Sequence, residues 1–418
     1  MQVVILAAGL SSRFAPFASD SHKSMTVLCG QPIIGWTLDS LKKAKIKEVV
    51  VIISPQDKKI KEYLKKYKGL SIRQIHQPEA KGMGNALLCV EKLLKEQFWV
   101  IYAHLVNAGE CLSLFKNSNN ADCDILADIT QEPWKYGILK IKGKKAVGII
   151  EKPVKGQEPS KIRASGVYLL NQAYLRILKE TPEEEYSFEI ALDRYMKQKK
   201  VNVILIKRPI IPLKYSPDLF QLKDYLLEQM PAYKSPKCSI ASTAKIKGKA
   251  IIEEGVTIGD YALIEGPVYI GKNALVGAYC ILRGGSVLEE EAQIERYLDC
   301  ARSIIGKNTH LHSGFIGDSI IGADGRVGAN LIVANRRIDR QNISFTVQGK
   351  KVSFEKNYLG VVIGDKVKIG INVMTMPGTI IGAGSIIGPA TMVSGSIQPK
   401  TLFYTDYSKT QVFEKVKS

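Results

Sequence analysis

The chain has 418 residues, 45% of them hydrophobic and 24% charged, with a formal charge of +19 at pH 7. That length suits two or three domains with substantial cores, and the balance is that of a globular protein, not a disordered or fibrous one. No apolar run approaches the roughly 20 residues that a membrane-spanning helix needs, so no membrane partner is expected.

The basic excess favours anionic ligands. Its lysines are spread along the chain and no nucleic-acid-binding signature accompanies them, so no nucleic acid is expected; phosphorylated small molecules or plain solvated surface account for the charge. The opening MQVVILAAGL lacks a basic leader and reads as a buried first strand, not a signal peptide. Seven scattered cysteines (Cys29, Cys89, Cys111, Cys123, Cys238, Cys280, Cys300) form no CxxC pair and point to reduced thiols in a cytoplasmic protein.

In chain order, VVILAA predicts a strand, residues 33–45 a helix, KEVVVIIS a strand, residues 85–96 an amphipathic helix, and FWVIYAH another strand. Strands alternating with helices predict an α/β, Rossmann-like domain over 1–230 with a mainly parallel sheet. GILKIKGKKAVGIIEKP and ASGVYLL read as antiparallel additions, and residues 219–229 as a closing helix. A linker is expected over 231–243, where two prolines and small polar residues collect.

From about 244 to 403 the pattern changes. Aliphatic residues recur every six positions at Ile246, Ile252, Ile258, Ile264, Ile270, Val276, Leu282, Leu288 and Ile294. The beat returns at Ile363, Ile369, Ile381, Ile387 and Val393, with Thr375 in the remaining slot. A six-residue beat fits a parallel β-helix of hexapeptide turns, each short strand sending one side chain inward. The beat fails between Asn335 and Leu359, where alternation in ISFTV and KKVSF around Gln348-Gly349 predicts a hairpin leaving the coils. Residues 404–418 read as a polar tail.

The most chemical segment is LAAGLSSRFAPFASDSHK. A strand ends in a tight turn at Gly9, which offers backbone N–H groups to phosphates, while Arg13 and Lys23 neutralise a triphosphate. This segment resembles the opening LAAGxGTRxxP…PK of the sugar-1-phosphate nucleotidylyltransferases: Gly9, Arg13, Pro16 and Lys23 match, Ser11 stands for a glycine and His22 for a proline. Gln77-Pro78-Glu79 with Gly82 resembles that family's base-reading segment. Tyr136-Gly137, Glu151-Lys152-Pro153, Gly166 and Glu189 resemble its sugar-1-phosphate pocket. The joined pair of domains looks most like the archaeal-type bifunctional sugar-1-phosphate nucleotidylyltransferase/acetyltransferases.

The resemblance implies an NTP and a sugar-1-phosphate as substrates, Mg²⁺ accompanying the nucleotide, and a left-handed β-helix. It assigns Ala8, Gly9, Arg13, Lys23, Gln77 and Gly82 to the nucleotide, with Arg13 and Lys23 catalytic. Gly137, Glu151, Lys152, Gly166 and Glu189 go to the sugar phosphate. The family's metal-holding aspartate is missing, since VIYAH puts His104 in its place, and a second ligand expected near Pro212 is absent too. Imidazole suits Mg²⁺ poorly. The metal therefore rides on the triphosphate, or is held by another acid such as Asp128, or the domain binds nucleotide without turnover.

In the solenoid, HLHSGFIGDS resembles the family's HLSYxGDS, which makes His312 the general base of an acetyl transfer from acetyl-CoA; His310 has no counterpart. Asn335 matches the asparagine of the family's AN motif; the two lysines that the family uses for sugar phosphate appear as Gln341 and Ser344, and Arg336, Arg337, Arg340 and Lys350 are the candidates to supply that charge. Gly370 and Asn372 are candidates to line a pantetheine groove. The resemblance also implies a homotrimer. Two alternatives remain: a nucleotidylyltransferase with a scaffold solenoid, and a non-catalytic nucleotide- or sugar-sensing subunit.

Overall fold

The computed structural model describes residues 2–17, 20–117 and 122–406, so residues 407–418 of the expected tail lie outside the described residues. The chain divides into two compact units. The first holds Met1–Ser11, Asp20–Thr26 and Gln31–Pro212; the second holds Ser12–Ser19, Val27–Gly30 and Leu213–Ser418.

The first unit is built on one sheet, with nine strands among the described residues. They are β1 (Gln2–Ala7), β2 (Glu48–Ile53), β3 (Ser71–His76), β4 (Gln97–Tyr102), β5 (Cys123–Ile129), β6 (Gly137–Lys142), β7 (Lys145–Glu151), β8 (Ile162–Asn171) and β9 (Val201–Leu205). Their spatial order is β3-β2-β1-β4-β8-β5-β9-β7-β6. The first four run parallel, β8 runs antiparallel to β4 and β5, and β6–β7 is an antiparallel ribbon. Strands covered on both faces must be apolar on both, and β1 is: Val4 joins one core cluster while Val3 and Ile5 join the other.

Helices α1 (Ile33–Lys43), α2 (Lys58–Lys66), α3 (Gly82–Leu88), α4 (Ala108–Ser113), α5 (Gln172–Lys179) and α6 (Ser187–Gln198) cover the faces. The helix expected over 85–96 is shorter than its pattern. It ends at Cys89, and i→i+3 bonds of Val90 to Leu87 and Leu93 to Val90 tighten the chain into a 3₁₀ turn.

The second unit contains α7 (Leu219–Gln229) and a left-handed β-helix with three parallel faces of nine, nine and eight strands among the described residues. Inward side chains stack from coil to coil: Ile252, Ile270 and Leu288 on the first face, Ile258, Val276 and Ile294 on the second, Ile264, Leu282 and Cys300 on the third. Thr375 fills its inward slot between Val333 and Val393. Corners turn through residues with left-handed φ, among them Tyr261, Asn273, Tyr279, Glu291, Tyr297 and Asn372. Tyr261, Tyr279 and Tyr297 stack their exposed rings 5.1 and 5.3 Å apart along one edge.

Two expectations meet a different structure. Residues 231–243, expected as a linker, already carry Tyr233–Lys234 and Ser239–Ile240, paired with Ile251–Ile252 and Thr257–Ile258. The prolines sit outside those strands, where no ladder N–H is required. Helix α7, expected to close the first domain, belongs to the second unit. Its Lys223, 1% exposed, donates to the corner carbonyls of Gly285 and of Arg302 (3.2 Å).

The hairpin forms as expected, Ile343–Val347 against Lys350–Phe354 with Gln348 and Gly349 both at positive φ. Ile343, Phe345 and Val347 bury one face of it, Phe345 against Tyr215 at 5.8 Å. All seven cysteines are free thiols, and no described helix is long and apolar enough to cross a membrane.

Candidate functional site

In the first unit the loop expected to receive phosphates leaves β1 at Ala8, which is buried, and Gly9, around which a Cβ would meet nothing within 4 Å. The loop is tied to its own end: Lys23 N–H donates to Ser11 Oγ at 3.0 Å, and Ser11 holds φ 54°. His22, the residue that stands for a proline, caps the 3₁₀ turn Lys23–Met25, its Nδ1 accepting from Ser24 N–H at 3.3 Å. Burial, and then the charge of Lys23, push its pKa down to about 3, so this ring stays neutral and structural. Its backbone N–H donates to Asp57, which also caps α2 through Ile60 N–H. Arg13 is exposed on the turn Ser12–Phe14, which belongs to the second unit.

Gln77 is buried at the end of β3, and its Nε2 donates to Gly82 O (3.1 Å) and Asn85 Oδ1 (2.8 Å). Both amide protons are thereby used inside the protein, and the side-chain carbonyl is the group that could still accept from a ligand N–H. Gly82 is required: φ is +87° and a Cβ would come within 2.4 Å of the Glu185 carbonyl.

The sugar-side residues do come together. Gly137 pairs with Glu151 across the β6–β7 ribbon, and a Cβ there would stand 2.8 Å from Glu151 Oε2. Lys152 Nζ meets Tyr186 Oη at 2.6 Å and Glu151 Oε1 at 3.7 Å. Glu189, in the first turn of α6, has its pKa raised to about 8, mainly by burial and then by Glu151, with Lys152 opposing. Gly166 sits in the irregularity of β8 at φ +76°, where a Cβ would collide with the Tyr102 ring at 2.1 Å.

That ring was not flagged by sequence. Tyr102 ends β4, interacts electrostatically with Glu189 and Glu151, and stacks on His104 (5.4 Å between centroids, 9° between planes). It links the carboxylates Glu189 and Glu151 to His104.

Asp128 does not serve as a spare metal ligand. It is fully buried, its two oxygens accept from Arg163 Nε (2.5 Å) and Nη2 (3.0 Å), and Ser165 Oγ and Ile210 N–H donate to it as well. Arg163 in turn lies 4.5 Å over the Tyr136 ring, which braces the residue before Gly137. His104 is pushed well below the usual imidazole pKa by burial, Lys23 and His22. A neutral ring held flat against a tyrosine is a poor partner for a hard, octahedral ion, and no group of three or more His, Cys, Asp or Glu suited to a metal occurs among the described residues. The residues present do not fit a protein-held Mg²⁺.

In the solenoid, His312 follows the strand His310–Leu311 on an edge of the prism; its Nε2 lies 3.4 Å from Glu295 Oε2 one coil away. The same edge continues through Gly328, Gly370 and Asn372, the last accepting from Asn330 Nδ2 at 2.9 Å. His310 is held below its ordinary pKa by burial and Arg326.

Asn335 stands on a different edge. Its Nδ2 donates to Asp318 (2.5 Å), which also accepts from Arg302 Nε (2.6 Å) and Nη2 (2.8 Å). Gly317 makes room, since a Cβ there would lie 2.7 Å from Asn335 Nδ2. Arg336 is exposed beside it, bridged to Tyr358, whereas Arg337 is already paired with Asp339. The strand Gly314–Gly317 separates the two edges, roughly 13 Å at ~3.3 Å per residue, so one chain does not bring His312 and Asn335 together. Glu295, Asp318 and Arg302 escaped sequence reading because each meets its partner across coils.

The nucleotidyl transferase family model matches residues 2–210, and the bacterial transferase hexapeptide model (six repeats) matches 249–284 and 360–395. Two similar proteins named bifunctional protein GlmU come from Methanococcus maripaludis, 32% identical, and Methanococcus vannielii, 30% identical; each match covers 97% of both chains. A protein of Sulfurisphaera tokodaii named bifunctional sugar-1-phosphate nucleotidylyltransferase/acetyltransferase is 30% identical, covering 95% of this chain and 98% of that one. With Glu151 and Glu189 gathered near Tyr102 in the first unit and hexapeptide coils in the second, the chain belongs to the bifunctional sugar-1-phosphate nucleotidylyltransferase/acetyltransferase family.

Proposed function

We propose that the front half transfers a nucleotidyl group from a nucleoside triphosphate to a sugar-1-phosphate, and that the solenoid acetylates an amino-sugar phosphate from acetyl-CoA. The observation that carries the first activity is the gathering of Gly137, Glu151, Lys152 and Glu189 beside Tyr102. A sugar-1-phosphate oxygen attacks the α-phosphorus in line; the new P–O bond forms as the bond to the β-phosphate breaks, and pyrophosphate leaves. Lys23 neutralises the triphosphate, Ala8 and Gly9 offer backbone N–H groups, and Gln77 with Gly82 receives the base. Lys152 pairs with the sugar phosphate. Glu189, with a pKa near 8, keeps a proton at neutral pH and donates to a sugar hydroxyl, while Glu151 accepts from one. Mg²⁺ would arrive on the triphosphate and supply charge neutralisation there.

In the solenoid, the amine attacks the thioester carbonyl while His312 takes its proton; the C–S bond then breaks and the CoA thiol leaves with a proton. Glu295, 3.4 Å away, stabilises the imidazolium. His312 and Asn335 serve one site only if a neighbouring copy brings its second edge to the first, which supports a homotrimer with sites between copies. Nucleotide, sugar phosphate and acetyl-CoA are cytoplasmic substrates, in keeping with free thiols throughout.

Two assays test this: pyrophosphate release across nucleoside triphosphates and sugar-1-phosphates, and thiol release from acetyl-CoA with glucosamine-1-phosphate. His312→Ala should abolish the second and spare the first. If neither product forms with any divalent ion, the catalytic reading falls and a non-catalytic sensing subunit, which His104 favours, replaces it.

A further inference from the structure

His104 occupies a defined place. Leu6 of β1 pairs with Tyr102 of β4, and Ala103 N–H donates to Leu6 O at 3.3 Å, so His104 emerges level with Ala8, where the phosphate loop begins. Its backbone is held, since its carbonyl accepts from Val106 N–H at 3.1 Å. Its ring is held too, flat on Tyr102, which is itself confined by the missing side chain at Gly166. The ring is half-buried, and neither of its nitrogens hydrogen-bonds to a described residue. Lys23 and His22 are its electrostatic neighbours, and Asp128, the alternative acid, is consumed by Arg163, Ser165 and Ile210. An oriented imidazole with unused nitrogens beside a lysine suits a phosphate oxygen, to which it donates one N–H without adding charge.

Building on the triphosphate reading above, we propose that the imidazole of His104 is itself a phosphate contact of the front site, standing where a metal-binding acid would be needed, so that triphosphate affinity in this chain is nearly independent of divalent ions. Lys23 supplies the positive charge that a protein-held ion would otherwise supply, and the imidazole fixes the direction of the phosphate chain. Such a site discriminates by hydrogen bonding and not by coordination.

The test is titration calorimetry of the full chain with ATP, CTP, GTP, UTP and dTTP, each in EDTA and in Mg²⁺, together with Mn²⁺ binding followed by electron paramagnetic resonance. The wild type should bind its preferred triphosphate with affinities within about threefold in the two buffers and take up no Mn²⁺ by itself. His104→Phe keeps the stack on Tyr102 and removes the nitrogens; it should weaken binding about tenfold or more in both buffers, while His104→Gln retains most of it. His104→Asp should bind poorly in EDTA, recover in Mn²⁺, and acquire a Mn²⁺ signal. Circular dichroism melts establish that each variant is folded. Uptake only in Mg²⁺, or a His104→Phe variant that binds as the wild type does, overturns the proposal and leaves nucleotidyl transfer standing. No uptake of any triphosphate under either condition overturns both.

Discussion

Glu289 offers a sharp physical test within the second unit. Its side chain is 1% exposed, and its two oxygens accept from the backbone N–H groups of Cys29 (2.7 Å) and Gly30 (2.9 Å). Those residues turn with φ of 52° and 90°, which presents successive N–H groups to one anion. Gly30 cannot be replaced, because a Cβ would also stand 2.2 Å from the Tyr269 hydroxyl. Burial raises the Glu289 pKa from 4.5 to about 7; the two amide bonds oppose that rise, and Glu290 adds a smaller push.

Between pH 4.5 and 7 the folded protein therefore holds a proton that the unfolded chain has released. The resulting stability is fully present below about 4.5 and is lost as pH climbs through 7. At ~1.4 kcal/mol per pH unit, the contribution is about 3 kcal/mol. The assay is hydrogen exchange of the amides of residues 27–31, corrected for intrinsic rates, from pH 4.5 to 8. Wild-type opening free energy should fall by about 3 kcal/mol across that range. Glu289→Gln keeps one acceptor and should remove the slope. An equal slope in the variant would refute the assignment to this carboxyl.

Other perturbations follow from the same geometry. Lys223→Met keeps the stem but leaves the carbonyls of Gly285 and Arg302 without their ammonium donor, and should cost about 3 kcal/mol in urea unfolding. Gly166→Ala combines left-handed strain with a collision against Tyr102; thermal melts should register a loss of about 2–4 kcal/mol, together with lost sugar-1-phosphate binding. Mixing inactive His312→Ala and Asn335→Ala chains, unfolded and refolded together, should restore about a quarter of wild-type thiol release if each site takes one residue from each of two copies of a trimer. No restoration would place both residues' work within single chains.

The inward ladder was legible wherever coils keep one length. Partners stand eighteen residues apart at Ile252↔Ile270 and Ile270↔Leu288, and every corner then recurs on the same beat. The beat slips after Cys300 not because the coil ends but because it shortens: partners are sixteen apart at Cys300↔Ile316 and Ile305↔Ile321. A tighter corner removes residues without removing the inward side chain, so the solenoid continues while its period is hidden. The expected linker fails for a related reason. A first coil has neighbours on one side only and can be polar where interior coils must be apolar, as exposed Tyr233 and Ser239 are.

The site divides along the same line. Residues set apart by local spacing, such as the loop from Ala8 to Lys23 or the Glu151-Lys152 pair, could be picked out as candidates from the chain alone. Those whose role comes from register could not. Tyr102 acquires its place from the β1–β4 pairing, Asp128 from a bulged strand that brings Arg163 across, and Asp318 from the coil above that delivers Asn335. His104 stands between the two classes. Its substitution for an acid is readable one residue at a time, but only the stack on Tyr102 and the neighbouring Lys23 turn an absent ligand into a positioned donor. A missing carboxylate there therefore does not by itself empty the position of chemistry, since the proposed phosphate contact needs only the held ring and the neighbouring lysine.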